Sequence, residues 1–143
     1  MVLTDGATGF AKPATIEELR NLTVSINREN ANISLGNKAL DYSRRAVRIA
    51  PNDAETELAL AISYGKILPY VGNKEKAESS RVIKAAAEKV IRLDPKNALA
   101  FRNRGVVYVY KGDNDRAIGD YNEAIRLDPK NAAAFRDRAT AYA

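Results

Sequence analysis

Apolar residues recur every three or four positions along most of this chain, which is the spacing of an amphipathic helix. From Ala98 to Tyr110, this spacing puts Phe101, Gly105 and Tyr108 on one face, and Asn97 before them is a good helix cap. No segment shows the alternating β-branched pattern of a half-buried strand. The pattern therefore predicts an all-α protein of about seven helices without a sheet.

The next helix is predicted over residues 116–127, where Ala117, Tyr121 and Ala124 share a face. The segment between the two helices contains Gly112, which suits the left-handed backbone conformation at the end of a helix. Small residues on both helices allow two antiparallel helices to approach closely, and aromatic residues fill the space between their turns.

This two-helix pattern belongs to an internal repeat. Residues 92–98 recur unchanged at 126–132, an offset of 34 positions. Extended to Tyr108 and Tyr142, the alignment holds 12 identities in 17 pairs. A repeat of this length is typical of stacked helical hairpins.

The unit at 98–131 resembles the tetratricopeptide repeat (TPR). The family pattern has a bulky residue, a small residue and Tyr on the first helix, then Ala, an aromatic residue, Ala and a closing Pro. The matching positions are Phe101, Gly105, Tyr108, Ala117, Tyr121, Ala124 and Pro129. Arg104 stands where the pattern usually has Leu, and Arg138 repeats this departure. The resemblance implies a right-handed superhelical stack of antiparallel helix pairs, a TPR-like α-solenoid.

The resemblance also suggests how the chain is divided. Residues 1–15, with Gly6, Gly9 and Pro13, are expected to form a flexible N-terminal arm, and 16–143 the TPR-like domain. Its units are approximately 20–53 (degenerate), 54–97 (with a ten-residue insertion), 98–131 (regular) and 132–143 (the first helix of a partial repeat).

The inserted residues of the second unit lie around 66–75. We expect them to lengthen both helices of that unit by about five residues each, or about 1.4 turns. Pro69 opposes this for the first helix, which is then expected to kink or end near it. The result would be a protruding tip and a second contact surface, formed by Ile67, Leu68, Tyr70 and Val71.

The partial repeat has one helix, in which Phe135, Ala139 and Tyr142 are expected to pack inward like their counterparts in the preceding unit. Two interpretations of its uncovered end remain open. Either the chain is a fragment of a longer repeat protein, or the end pairs with a second copy. Both predict association at high concentration.

The composition excludes most of the common catalytic mechanisms, because the chain has no His and no Cys. Serine or cysteine catalytic triads, zinc fingers and disulfides are therefore excluded. No glycine-rich phosphate loop is present. The carboxylate pairs Glu55/Glu57 and Asp113/Asp115 are two residues apart, which suits solvated or capping roles. We expect no enzymatic activity, catalytic residue, metal or cofactor.

The net charge is +5, but charges of both signs are interspersed, which argues against a nucleic-acid binder. The basic run at 44–48 is read as a solvated face, with RNA or a lipid surface as the alternative. The N-terminus does not look like a signal peptide, and no stretch approaches the roughly 18 apolar residues of a membrane span. We expect a cytoplasmic protein.

In the family that the repeat resembles, ligands lie in a concave groove lined by the first helices. The resemblance implies these peptide-binding residues: Arg28, Leu58, Ile62, Leu99, Arg102, Val106 and Arg136. An apolar centre with positive flanks favours an extended segment with acidic residues, although plain solvation of Arg102 and Arg136 stays open. Arg104 and Arg138 face a neighbouring helix, where a carboxylate such as Asp120 or Asp128 can pair with them.

One subset of the family clamps the acidic tails of chaperones with Lys, Arg and Asn side chains. The corresponding positions here hold Val24, Arg28, Ala59, Leu99 and Asn103, which do not match. The sequence therefore predicts an interaction module that binds a peptide or partner helix, but not a chaperone-tail adaptor. A self-assembling structural homo-oligomer and, less favoured, an RNA-binding helical repeat are the alternatives.

Overall fold

The computed structural model describes residues 3–4, 11–12, 15–29 and 33–143, with side chains described at 15–26 and 36–143. Within these ranges the body consists of seven α-helices, as predicted. They are α1 (Ile16–Glu29), α2 (Ile33–Ile49), α3 (Ala54–Ile67), α4 (Asn73–Leu93), α5 (Ala98–Tyr110), α6 (Asn114–Leu127) and α7 (Ala132–Tyr142). A 3-10 turn, Leu68–Tyr70, connects α3 to α4.

A minimal sheet precedes the helices. Leu3–Thr4 (β1) pairs antiparallel with Ala11–Lys12 (β2), so the expectation of no sheet is wrong at this point. Backbone pairing can close a hairpin this short without the alternating pattern that a longer strand needs. The predicted flexibility of the arm at 1–15 falls mostly outside the described residues.

The helices form a stack of two layers. Each helix packs against the next one in the chain, and the odd-numbered helices α1, α3, α5 and α7 also contact one another in order. The odd-numbered helices therefore form one continuous layer of the stack.

Helix starts are defined by local capping, as the sequence indicated. The side chain of Asn97 accepts a hydrogen bond from the Ala100 amide at 3.1 Å. Asp53, Asp113 and Asn131 cap α3, α6 and α7 in the same way. Such caps satisfy amides that the first helical turn leaves unpaired.

The α5–α6 hairpin contains the ion pair expected of Arg104. Its guanidinium donates to both carboxylate oxygens of the buried Asp120, at 2.9 and 2.8 Å. This contact raises the pKa of Arg104. Arg138 instead donates to Asn122 Oδ1 at 2.9 Å, so its expected pairing with a carboxylate is wrong. The nearest acceptor on α6 is an amide oxygen in this case.

The insertion is distributed differently from the expectation. Helix α3 has 14 residues against 13 in α5, whereas α4 has 21 against 14 in α6. The extra residues are thus found in α4 and in the 3-10 turn, because Pro69 lies at the start of that turn and cannot continue α3.

The predicted tip is wrong for three of its four residues, because Val71 is partly buried against the core and two others lie inside it. Leu68 is 1% exposed and Ile67 is also buried, both in the largest core cluster together with Leu40 of α2. Gly36 of α2 leaves room for this packing, since a Cβ there would lie 2.7 Å from Ile67 Cγ2. Tyr70 remains exposed at the surface.

The expected inward packing of α7 is also wrong. Phe135 and Tyr142 are 42% and 67% exposed and Ala139 is exposed, whereas Ala134 and Ala141 are buried. In α5 the equivalent face packs against α6, the second helix of the same repeat. Among the described residues no second helix follows α7 to cover this face. Helix α7 contacts the stack through the buried Ala134 and Ala141 and through hydrogen bonds of Asp137 and Arg138.

Candidate functional site

A cleft of about 480 Å³ opens on the layer of odd-numbered helices. The residues that line it come from α1, α3 and α5: Val24, Ala59, Ile62, Gly65, Lys66, Leu99, Arg102, Asn103 and Val106. Ligand pockets in proteins typically have volumes of about 300–1,000 Å³. The cleft is therefore large enough to hold several side chains of a ligand.

The lining is mostly apolar and partly open to solvent. Val24 and Leu99 are 44% and 40% exposed, and Ile62 and Val106 are half-buried. Large apolar side chains left in water at one place mark a surface on which another molecule can be buried.

Gly65 contributes bare helix backbone to the lining. A Cβ built on this residue would meet no atom within 4 Å. The residue 44 positions later in the following unit, Val109, carries a branched side chain. The cleft therefore includes space in front of Gly65 that a side chain could occupy.

Two cations line the cleft, and their situations differ. Arg102 donates from Nε to Asp137 Oδ2 of α7 at 2.7 Å, and both side chains are half-buried. Lys66 is exposed, and none of the described residues pairs with its ammonium group. Since no acidic residue lines the cleft and Asp137 neutralises Arg102, Lys66 supplies the available positive charge.

Ion pairs also connect the helices on the α1 side. Arg20 of α1 donates to Glu55 Oε2 at 2.8 Å and lies 3.4 Å from Asp53 Oδ2. The pairs Arg20–Glu55 and Arg102–Asp137 both connect an odd-numbered helix to the next odd-numbered one. They hold the cleft-bearing layer together at both ends.

The structure brings together four of the seven predicted binding residues, namely Ile62, Leu99, Arg102 and Val106. Leu58 and Arg136 do not line the cleft. The side chain of Arg28 lies outside the described residues. Arg102 lines the cleft with its side chain 30% exposed, and Asp137 accepts a hydrogen bond from its Nε. That these side chains bind a peptide stays a prediction.

Five lining residues were not among the predicted ones: Val24, Ala59, Gly65, Lys66 and Asn103. Three of them (Val24, Ala59 and Asn103) occupy positions compared above with the chaperone-tail clamp, so a signal for them existed. Lys66 follows Ile62 by four residues and therefore shares its helix face. That spacing could have revealed it.

Metal-ligating side chains do not cluster in the described part of the chain. Within the ranges given above, no group of three or more metal-ligating side chains is present. Nor does any helix in that part of the chain combine the length and apolar character needed to cross a bilayer.

Solved structures similar to this chain include TPR proteins. The Arabidopsis OM64 TPR domain matches with a TM-score of 0.71 and 17% identity, over 88% of this chain and 93% of that one. The thermophilic TPR protein TTC0263 of Thermus thermophilus gives 0.76 and 20%, over 91% and 65%. The second TPR domain of human RPAP3, in complex with the HSP70 peptide SGPTIEEVD, gives 0.67 and 16%, over 90% and 99%. At such identities the similarity establishes the fold.

Two sequence families match this chain, and one of them is narrower than the TPR fold. The TPR repeat family matches residues 107–143. No curated protein shows significant similarity in sequence. The family described as regulator of microtubule dynamics protein 1-3 matches residues 20–111, which is more than half of the chain. The chain, a stack of tetratricopeptide repeats, therefore belongs to the regulator of microtubule dynamics protein 1-3 family.

Proposed function

We propose that this chain is a protein-interaction module that binds a short segment of a partner polypeptide in its cleft. The observation that carries the proposal is that apolar side chains from three helices line one cleft and remain partly exposed to solvent. Covering such surface releases about 25 cal/mol for each Å² of apolar area removed from water. The cleft lies on rigid helices, so little conformational entropy is lost there on binding.

The ligand that we propose differs from a chaperone tail. The human RPAP3 domain was solved with an HSP70 peptide that ends in the sequence Glu-Glu-Val-Asp. Here Val24, Ala59 and Leu99 occupy positions where a clamp for such tails needs polar or charged side chains. Apolar groups of the ligand are therefore the main source of affinity in this proposal.

The family description supplies the biological setting of the proposal. We place the binding activity in the regulation of microtubule dynamics, with a partner polypeptide that takes part in that process. Co-sedimentation of the chain with microtubules, with and without a saturating cleft peptide, tests this setting. A pellet fraction that is zero under both conditions contradicts a direct microtubule contact.

The test of cleft binding begins with peptides selected from a phage-displayed library on the 143-residue chain. Their affinity is then measured by fluorescence polarisation for the wild type and for Gly65→Phe. A side chain at Gly65 begins in the cleft, and its Cβ would meet no atom within 4 Å. We expect affinity to fall more than about tenfold, or 1.4 kcal/mol, with the helical circular dichroism signal unchanged.

Gly119→Phe is the matched control. Gly119 lies on α6 outside the cleft, is exposed, and would likewise carry a Cβ that meets no atom within 4 Å. This variant should bind like the wild type. Equal affinities of Gly65→Phe and the wild type would contradict binding in the cleft.

A second pair of variants tests the contribution of apolar contacts to affinity without filling the cleft. Leu99→Glu places a charge in the cleft, whereas Leu93→Glu does so at a Leu of similar exposure, 46% against 40%, on α4. The first should abolish peptide binding and the second should not. Loss of binding in both would indicate general damage to the stack.

Self-association is the second candidate function, and the face of α7 favours it. Phe135 and Tyr142 expose apolar area to solvent at one end of the stack. We expect a concentration-dependent dimer in sedimentation velocity that Phe135→Glu dissociates. A monomer at millimolar concentration would exclude it.

A further inference from the structure

We infer that the ligand of the cleft is a peptide segment in which a bulky apolar residue stands next to Asp or Glu. The bulky side chain lies over Gly65, between Ile62 and Val106, and the carboxylate binds the ammonium group of Lys66. This inference rests on the proposed function and names the class of peptide that the cleft selects.

The steric part of the argument comes from α3. The helix backbone is bare at Gly65, and the space in front of it contains no protein atom within 4 Å of a Cβ. Ile62 of the same helix and Val106 of α5 line the same cleft and are half-buried. Apolar walls around an empty volume favour a large side chain of the ligand, because only a large group removes all of these surfaces from water.

The electrostatic part concerns the sign and place of the charge. Lys66 and Arg102 line the cleft, whereas no acidic residue does. Asp137 pairs with Arg102 Nε at 2.7 Å, so the charge of this guanidinium is already balanced by a carboxylate of the chain. Lys66 has no such competitor among the described residues, and an ammonium–carboxylate contact is a strong, charge-assisted hydrogen bond.

The order of the two groups follows from the chain. Gly65 and Lys66 are consecutive in α3, and both line the same cleft. Since one cleft accommodates both groups, the apolar side chain and the carboxylate are expected on neighbouring residues of the ligand. Because the cleft crosses three helices, a peptide passes over it, and we assign the carboxylate to an Asp or Glu side chain.

The experiment compares peptide preferences of the wild type with those of Lys66→Glu, using the same displayed library. The wild type should enrich Phe, Tyr, Trp or Leu beside Asp or Glu. Lys66→Glu should replace the acidic preference by Lys or Arg while keeping the apolar one. Lys111→Glu, at an exposed lysine of the α5–α6 turn outside the cleft, should select the wild-type peptides.

Size preference at the apolar position is read with Gly65→Val. This variant introduces the side chain that the next unit carries at the corresponding position, Val109. Selected peptides should then carry smaller apolar residues at that position. In solution, Lys66→Ala should weaken the best wild-type peptide by about tenfold.

The possible outcomes distinguish a failure of cleft binding from a failure of the predicted peptide preference. If the wild type selects no peptide, the proposed function fails. If it selects peptides that bind in the cleft without an acidic residue, or if Lys66→Glu leaves the preference unchanged, this inference is wrong and the proposed function stands. Selected peptides that lose affinity when their C-terminus is amidated would overturn the assignment of the carboxylate to a side chain.

Discussion

Tyr121 of α6 lies directly against the backbone of α5 at Gly105. A Cβ on Gly105 would be 2.6 Å from Cε1 of the tyrosine ring, which is closer than side chains tolerate. Ala117 and Ala124, on the same face of α6, are fully buried. The close approach of the two helices thus depends on the absence of a side chain at one position and the presence of a large one at the other.

We expect Gly105→Ala to destabilise the protein by about 1–3 kcal/mol, because the added methyl group forces the buried Tyr121 ring to move. Urea denaturation followed by circular dichroism measures the change in the free energy of unfolding. Gly119→Ala, in open space on α6, should instead stabilise the protein by about 0.5–1 kcal/mol through helix propensity. A stabilising Gly105→Ala would mean that the contact is looser than described.

A charge exchange tests whether Arg102 holds α7 in place. Arg102→Asp alone sets two carboxylates against each other at a contact now 2.7 Å long, so stability should fall. Combined with Asp137→Arg, the loss should be recovered by about 1 kcal/mol, the usual size for partly exposed pairs. The measurement is a double-mutant cycle in urea. Additive effects of the two changes would show that the pair does not couple α5 to α7.

Charge-reversal variants of Arg102 and Arg136 are expected to differ in stability. Arg136 is exposed, whereas Arg102 is half-buried and paired with Asp137. Arg136→Glu should leave the melting temperature unchanged. Arg102→Glu should lower it, so reduced partner capture by that variant would have a structural contribution.

The residues between α3 and α4 should respond very unequally to truncation. Leu68→Ala removes a fully buried side chain and should cost about 2–5 kcal/mol. Tyr70→Ala, two residues later at the surface, should stay within about 0.5 kcal/mol of the wild type. Thermal unfolding of both variants measures the contrast. Deletion of 67–76 should unfold the stack, and a folded deletion variant would show that these residues are dispensable.

Alkaline pH should destabilise the protein through Tyr121. Burial, and secondarily the nearby carboxylate of Asp137, raises the pKa of the Tyr121 phenol above its ordinary value. Above about pH 10 this tyrosine ionises in the unfolded chain but stays neutral in the folded one. The unfolded state then binds fewer protons, and the free energy of unfolding falls as pH rises.

The corresponding measurement is urea denaturation at a series of pH values between about 9 and 11, compared with Tyr121→Phe. The phenylalanine variant should lose stability less steeply, because its ring cannot ionise. Identical slopes for the two proteins would show that the pKa of Tyr121 is the same in the folded and unfolded states.

Local chemistry made several features of the fold predictable. Helix periodicity and the cap at Asn97 depend on residues close together in the chain, and α5 begins and ends at the predicted residues. The 34-residue offset then implied the stack, because repeated hairpins with one apolar face bury it against their neighbours. The Arg104–Asp120 pair, within one such hairpin, was accessible to the same reasoning.

The candidate site was predictable only in part. Of the groove positions taken from the family pattern, Ile62, Leu99, Arg102 and Val106 line the cleft. The same pattern missed Gly65, because it describes side chains, and the contribution of this residue is an empty volume.

The amino-acid sequence by itself determined the helices, their caps and their repeated pairing, since each depends on interactions within about one hairpin. Only the tertiary structure decided which apolar residues are buried. Ile67 packs into the core where Gly36, on another helix, leaves space, and Leu68 is buried in the same cluster. Phe135 and Tyr142 remain exposed because, in the described part of the chain, no second helix of the same repeat covers their face as α6 covers that of α5. Burial is a property of two surfaces, and periodicity in one helix cannot say what lies opposite it.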